Sequence, residues 1–141
     1  MAVRKSNLEI KTSLIPGAGN GLFTKVKIKN GTIIGVFEGE IIPVDESDNR
    51  PESDGWFVEL ENDLYLDCYP IHSEAKYAND VDGIVKIKDV FNNSEICCYD
   101  DDSTRVYLIS NMDIEKGSEI YCSYGEQYWD DIKKKNGNIE N

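Results

Sequence analysis

The sequence predicts a mostly β fold. Short apolar runs recur along its length, Gly, Pro, Asn and Asp bound those runs, and no stretch carries long helical periodicity. The first expected strands are 8–11 and 21–24, on either side of a turn at Pro16-Gly17. After Asn30-Gly31, the β-branched run at 32–38 predicts a core strand. Two more are expected at 56–60 and 64–67, with Asn62-Asp63 turning between them. A pair at 94–99 and 105–110 flanks the polar turn 100–103, and 119–123 follows the turn at Lys116-Gly117. Between these runs, the polar stretch 44–55 reads as an exposed insertion loop and 71–78 as a short helix. A last helix is expected at 127–135, within a C-terminal helix and polar tail spanning 126–141. Lys133 to Lys135 then stand near its C-terminal end, where positive charge suits the helix dipole, and read as a solvated helix end rather than an import signal.

At 141 residues the chain fits one domain, 1–141, that buries a core without metal or disulfide staples. Its net charge is −12, from 27 acidic and 15 basic residues, and no basic cluster relieves it, so direct binding to nucleic acid is disfavoured. The acidity either gathers a cationic partner, such as a basic peptide, or only keeps the protein soluble; both readings stand. Cys68, Cys97, Cys98 and Cys122 never fall at a C-x-x-C spacing, which suggests neither zinc nor a disulfide framework. With no signal-like or membrane-length apolar run, the expectation is a soluble, intracellular protein with no membrane partner.

Four motifs carry more information than composition does. Pro16-Gly17-Ala18-Gly19-Asn20-Gly21-Leu22-Phe23 spaces glycines closely enough for a ligand to approach the main chain, although a plain tight turn explains it equally well. Asn30 through Ile42 is an apolar run with Phe37 and then Gly39. Tyr77-Ala78-Asn79-Asp80 is followed later by Asn92-Asn93-Ser94, residues that are turn formers by default. Asp113-Ile114-Glu115-Lys116-Gly117-Ser118-Glu119-Ile120-Tyr121-Cys122-Ser123-Tyr124-Gly125 comes last.

In this order and spacing, and with Tyr65-Leu66-Asp67 between them, the motifs resemble those of the SET-domain protein lysine methyltransferases over a core of about residues 8–129. The resemblance implies a fold of several short twisted sheets with few short helices and a C-terminal pseudoknot, an exception to unknotted topology. It implies S-adenosylmethionine as methyl donor, bound by Gly19, Asn20, Gly21, Trp56, Asn79 and Asp80, with no metal. It makes Tyr124 the catalytic residue and lines the substrate-lysine channel with Phe37, Cys122, Tyr124, Tyr128 and Trp129. The implied substrate is a basic protein, a histone tail first, which would put the protein in the nucleus. It also admits a homodimer. The peptide is expected to add as a strand beside 56–60.

The chemistry implied is an in-line displacement at a sulfonium methyl, in which positioning supplies much of the acceleration. A lysine with an ordinary pKa of about 10.4 must lose its proton to attack, and a dry channel favours the neutral amine. His72 lies outside every motif and reads as structural. This chain departs from the family pattern at Phe37 (a tyrosine elsewhere), Asp80 (histidine) and Cys122 (an aromatic), and it lacks the flanking cysteine clusters of many relatives. Cys122, being small and a poor donor, predicts room for di- or trimethylation. The departures also leave a rival reading, a catalytically weak SET-like module that binds a basic peptide or the cofactor.

Overall fold

Three antiparallel sheets, each of three strands, organise residues 2–81 and 89–123, the part of the chain that the computed structural model describes. The first sheet has the order β1-β2-β9, from Leu8–Thr12, Asn20–Thr24 and Glu119–Ile120. Its register sets Leu22 opposite Ile120 and Phe23 opposite Glu119, so the glycine turn and the last motif are neighbours despite the distance between them in the chain. The second has the order β3-β8-β7, from Ile33–Val36, Asp102–Ser110 and Ser94–Tyr99. The third has the order β4-β6-β5, from Glu40–Pro43, Leu64–Asp67 and Phe57–Glu59.

One core joins the sheets. Leu22, Ile34, Phe37, Leu66, Leu108, Ile120 and Cys122 all belong to it, and Leu22, Leu108 and Ile120 are wholly inaccessible. Burying each such aliphatic side chain contributes about 1.5–3 kcal/mol. A smaller cluster of Ile15, Val81 and Tyr121 packs separately, under the glycine turn.

The turn chemistry expected from the sequence is present. Asn62 and Asp63 both adopt positive φ, 62° and 59°, as a tight reversal between paired strands demands. Gly31 and Gly117 also have positive φ, and their amides donate to the Ser110 and Thr24 carbonyls.

The structure revises several expectations. The apolar run 32–38 is not one strand: β3 ends at Val36, and after Gly39 the chain enters another sheet as β4. Gly39 makes that crossing because a Cβ there would run into the Asp67 main chain. The stretch 44–55, expected as an exposed insertion loop, is largely exposed but is built as two 3₁₀ turns, Val44–Asn49 and Pro51–Ser53, pinned to the third sheet. Asp67, 1% exposed, accepts from Arg50 Nη1 (3.0 Å), Ser53 Oγ (2.8 Å) and the Tyr69 amide (3.1 Å). Arg50 also donates to Glu40 at 2.7 Å, and that contact holds the Glu40 carboxyl below the usual carboxylate range. The strand at 119–123 is paired in β9 only through Ile120, because Tyr121 and Cys122 leave the sheet for isolated parallel bridges to Asn79 and Ser94. The helix expected at 71–78 is one 3₁₀ turn, Ala75–Tyr77. The helix at 127–135, with Tyr124, Tyr128, Trp129 and the lysine run, lies outside the described residues. No helix among the described residues is long and apolar enough to cross a membrane.

Candidate functional site

The glycine turn closes on itself. Ser13 N donates to the Gly19 carbonyl (2.8 Å) and Ala18 N to the Ile15 carbonyl (3.1 Å). Gly17 and Gly19 sit at φ of 80° and 76°, conformations that favour glycine, with open space where a side chain would be. Among the described residues, none would have to be displaced for a ligand to approach this main chain. Gly21, the first buried residue of β2, lies against the Glu119 carboxylate, and its smallness is what lets β9 come so close.

Asn79 ties this turn to the end of the described chain. Its amide Nδ2 donates to the Asn20 carbonyl (3.0 Å), and its own carbonyl accepts from Cys122 N (2.9 Å). On the other flank, Asn93 stands in for a strand: its Oδ1 accepts from Tyr121 N (2.9 Å) and its Nδ2 donates to the Glu119 carbonyl (3.1 Å). Ser94 adds its amide (3.0 Å) and its hydroxyl (2.7 Å) to the Tyr121 carbonyl. Residues 119–122 thus run between the segment at Asn79 and the segment at Asn93 and Ser94, held from both sides.

Beyond this strip lies a cavity of about 460 Å³, lined among others by Phe37, Trp56, Val58, Lys76, Glu95 and Ser123. Its walls include β5 and the start of β7, each paired along one edge only in its sheet. Trp56 meets Tyr77 edge to face at 5.7 Å, and Lys76 lies over both rings. The Lys76 ammonium is fixed by the carbonyls of Cys68, Tyr69 and Ile71 at 3.0–3.3 Å, so a cation lies against the Trp56 ring on one wall, with Tyr77 packed behind it.

The residues expected from the sequence fall into two groups joined by one strip. Gly19, Asn20, Gly21 and Asn79 gather at the glycine turn, whereas Trp56, expected with them from the sequence, instead lines the cavity with Phe37 and with Ser123, the residue before Tyr124. Ala78 lines the cavity while its neighbour Asn79 contacts the turn, so residues 78–79 and 121–123 form the partition. Asp80 is 5% exposed; its carboxylate accepts from Asn92 Nδ2 (3.0 Å), while Asn92 Oδ1 accepts from Val81 N (3.0 Å). That side chain is thus engaged within the fold. Cys122 is fully buried, its thiol 3.9 Å from the Ala78 carbonyl. His72 is on the surface, 3.7 Å from Glu74.

Glu119 and Asn93 stand in motifs noted above without a role assigned to either, and Lys76 lies just before one; what Glu119 and Asn93 hold follows from partners far away in the chain.

Burial raises the thiol of Cys68 to about 12, against the pull of Lys76, and burial beside Asp80 raises that of Cys122. A thiol whose pKa rises on folding lets the folded state keep a proton that the unfolded state releases, so its effect on stability is unfavourable as pH climbs above the ordinary thiol value of 9.0. Exposed Cys98 is therefore expected to react first with a thiol reagent at pH 8, and Cys68 and Cys122 only on unfolding. Mass spectrometry of the labelled native protein checks this, and early labelling of Cys122 would contradict the packing described.

Compared with protein-family models, the chain matches that of the SET domain over residues 19–125, most of its length. Among curated proteins, nothing matches it.

Proposed function

The chain belongs to the SET-domain family, whose members are in general protein-lysine methyltransferases, and from that membership we propose that it moves a methyl group from S-adenosylmethionine to a lysine of a basic protein, with histone tails the leading substrate. One observation carries the reading. A strip of chain, 121–123, separates an open glycine turn from an aromatic-walled cavity, and Asn79 binds strip and turn together.

The residues present suit the donor. Main chain at Gly17 and Gly19 is open to approach, and Asn20 is positioned by Asn79. When bound, S-adenosylmethionine supplies an electrophilic methyl on a positively charged sulfur. The chain's part is to align that methyl with an incoming amine and to keep water away. Phe37 and Trp56 give the cavity apolar walls, which disfavour the ammonium form of a lysine and so favour its nucleophilic neutral form. The proton leaves to solvent before attack. Tyr124, next along the chain from Ser123, is the catalytic residue of this proposal, its phenol oxygen holding the amine and the methyl in line. A basic peptide lies as an added strand along β5, with Glu59 and Glu95 on the cavity wall to meet its positive charges.

Labelled S-adenosylmethionine mixed with the protein and a set of basic polypeptides tests the proposal: label is expected on lysine nitrogen, and binding without transfer would favour the non-catalytic module. The same reaction followed over time by mass spectrometry is expected to reach di- or trimethyl-lysine, because the compact Cys122 thiol offers little to anchor a water that would block further rounds. A wild-type course that stops at one methyl group would remove this role for Cys122.

A further inference from the structure

We infer that Glu119 is a positioning residue for the donor-binding turn, coupling it to the strip that carries the catalytic end of the chain; the inference rests on the methyltransferase reading. Glu119 is only 2% exposed. A carboxylate so placed loses its hydration and is tolerated where fixed donors replace the water. All of its hydrogen-bond partners among the described residues are neutral, and they come from two different segments. From the turn, Ser13 Oγ donates to Oε2 (2.6 Å) and Leu14 N donates to Oε1 (2.8 Å). From the strip, Tyr121 Oη donates to the same Oε1 (2.9 Å). Burial, followed by the hydrogen bond to Glu119, raises the Tyr121 phenol, so it remains a donor at neutral pH.

The contacts extend from there. Ser13 Oγ also accepts from Ile15 N (3.0 Å), and Ser13 N closes the turn on Gly19. Ile15 and Tyr121 then pack with Val81, one residue past Asp80. The carboxylate is thus the polar centre of a junction among the glycine turn, the segment at Asn79 and the strip 121–123. An apolar side chain at 119 would fill the same space, but it would hold neither the Leu14 amide nor the Ser13 hydroxyl, and the turn would lose its fixed distance from Asn79.

The test uses the full chain with Glu119→Ala, Glu119→Gln, Ser13→Ala and Tyr121→Phe. Affinity for S-adenosylhomocysteine is read by calorimetry, KM for donor and peptide by steady-state transfer, and turn mobility by amide hydrogen exchange. Glu119→Ala is expected to weaken S-adenosylhomocysteine binding about tenfold or more, and Ser13→Ala and Tyr121→Phe about threefold each. Glu119→Gln falls between, because its amide nitrogen cannot accept one of the three hydrogens. Peptide KM should stay within about twofold. Exchange at Leu14, Ile15 and Ala18 should quicken while β7 and β8 are unchanged. Should Glu119→Ala not fold, the two single-donor variants carry the same comparison. Variants that melt earlier yet bind S-adenosylhomocysteine with wild-type affinity would overturn the inference, as would equal losses for donor and peptide. Wild-type protein that binds no S-adenosylhomocysteine sinks the methyltransferase reading and this inference with it, and that result is visible before any variant is compared.

Discussion

Replacing Tyr124 with phenylalanine is expected to slow methyl transfer about 10²–10³-fold, the usual cost of losing one preorganised polar group at a reacting centre. Melting temperature and donor affinity should change little, since the ring is kept. The reason lies in the preceding residues. Cys122 N is fixed on the Asn79 carbonyl and Ser123 lines the cavity, so residues 122 and 123 stand at the boundary between the turn and the aromatic walls, and Tyr124 is next in the sequence. A rate close to wild type in Tyr124→Phe would remove the phenol from the chemistry and leave alignment to the walls alone.

Gly39→Ala is expected to be the most damaging single methyl group added to the protein, lowering stability by about 1–3 kcal/mol or more. The new Cβ would meet the Asp67 carbonyl and lie 3.1 Å from the Cys68 Cα. These are main-chain atoms, which cannot swing aside as a side chain does. Relief requires β4 to part from β6, and Asp67 would then shift under Arg50, Ser53 and the Tyr69 amide together. Urea unfolding followed by tryptophan fluorescence checks this: the midpoint should fall with the slope unchanged. An unaltered midpoint would mean that the strand crossing at Gly39 is looser than its packing implies.

What was legible in the sequence was local. Short apolar runs and the turn residues between them located the strands, because apolar clustering and a positive-φ requirement are written into neighbouring positions. The split of 32–42 into two strands in different sheets was not legible: nothing within Phe37-Glu38-Gly39-Glu40 reveals that Asp67 lies against Gly39. The same is true of 44–55. Its composition is that of a solvated loop, and only the long-range contact of Arg50 with Asp67 makes it an ordered flank of the third sheet. At the site, ordered motifs named Asn20 and Asn79, and the fold brings them within 3.0 Å. They did not reveal that Asp80 spends its carboxylate on Asn92, or that Glu119 holds three donors, because those are facts about partners far away in the chain.

The most direct test is an amide NMR titration of the 16.0 kDa protein with S-adenosylhomocysteine and, separately, with a lysine-containing basic peptide. The nucleoside is expected to shift the amides of residues 17–21 and 79–81, the peptide those of β5 and of Glu95 and Ile96, and both ligands that of Ser123. Shifts from the two ligands that never converge at residues 122–123, or a nucleoside that leaves the glycine turn untouched, would contradict a donor site and a lysine site meeting at that strip.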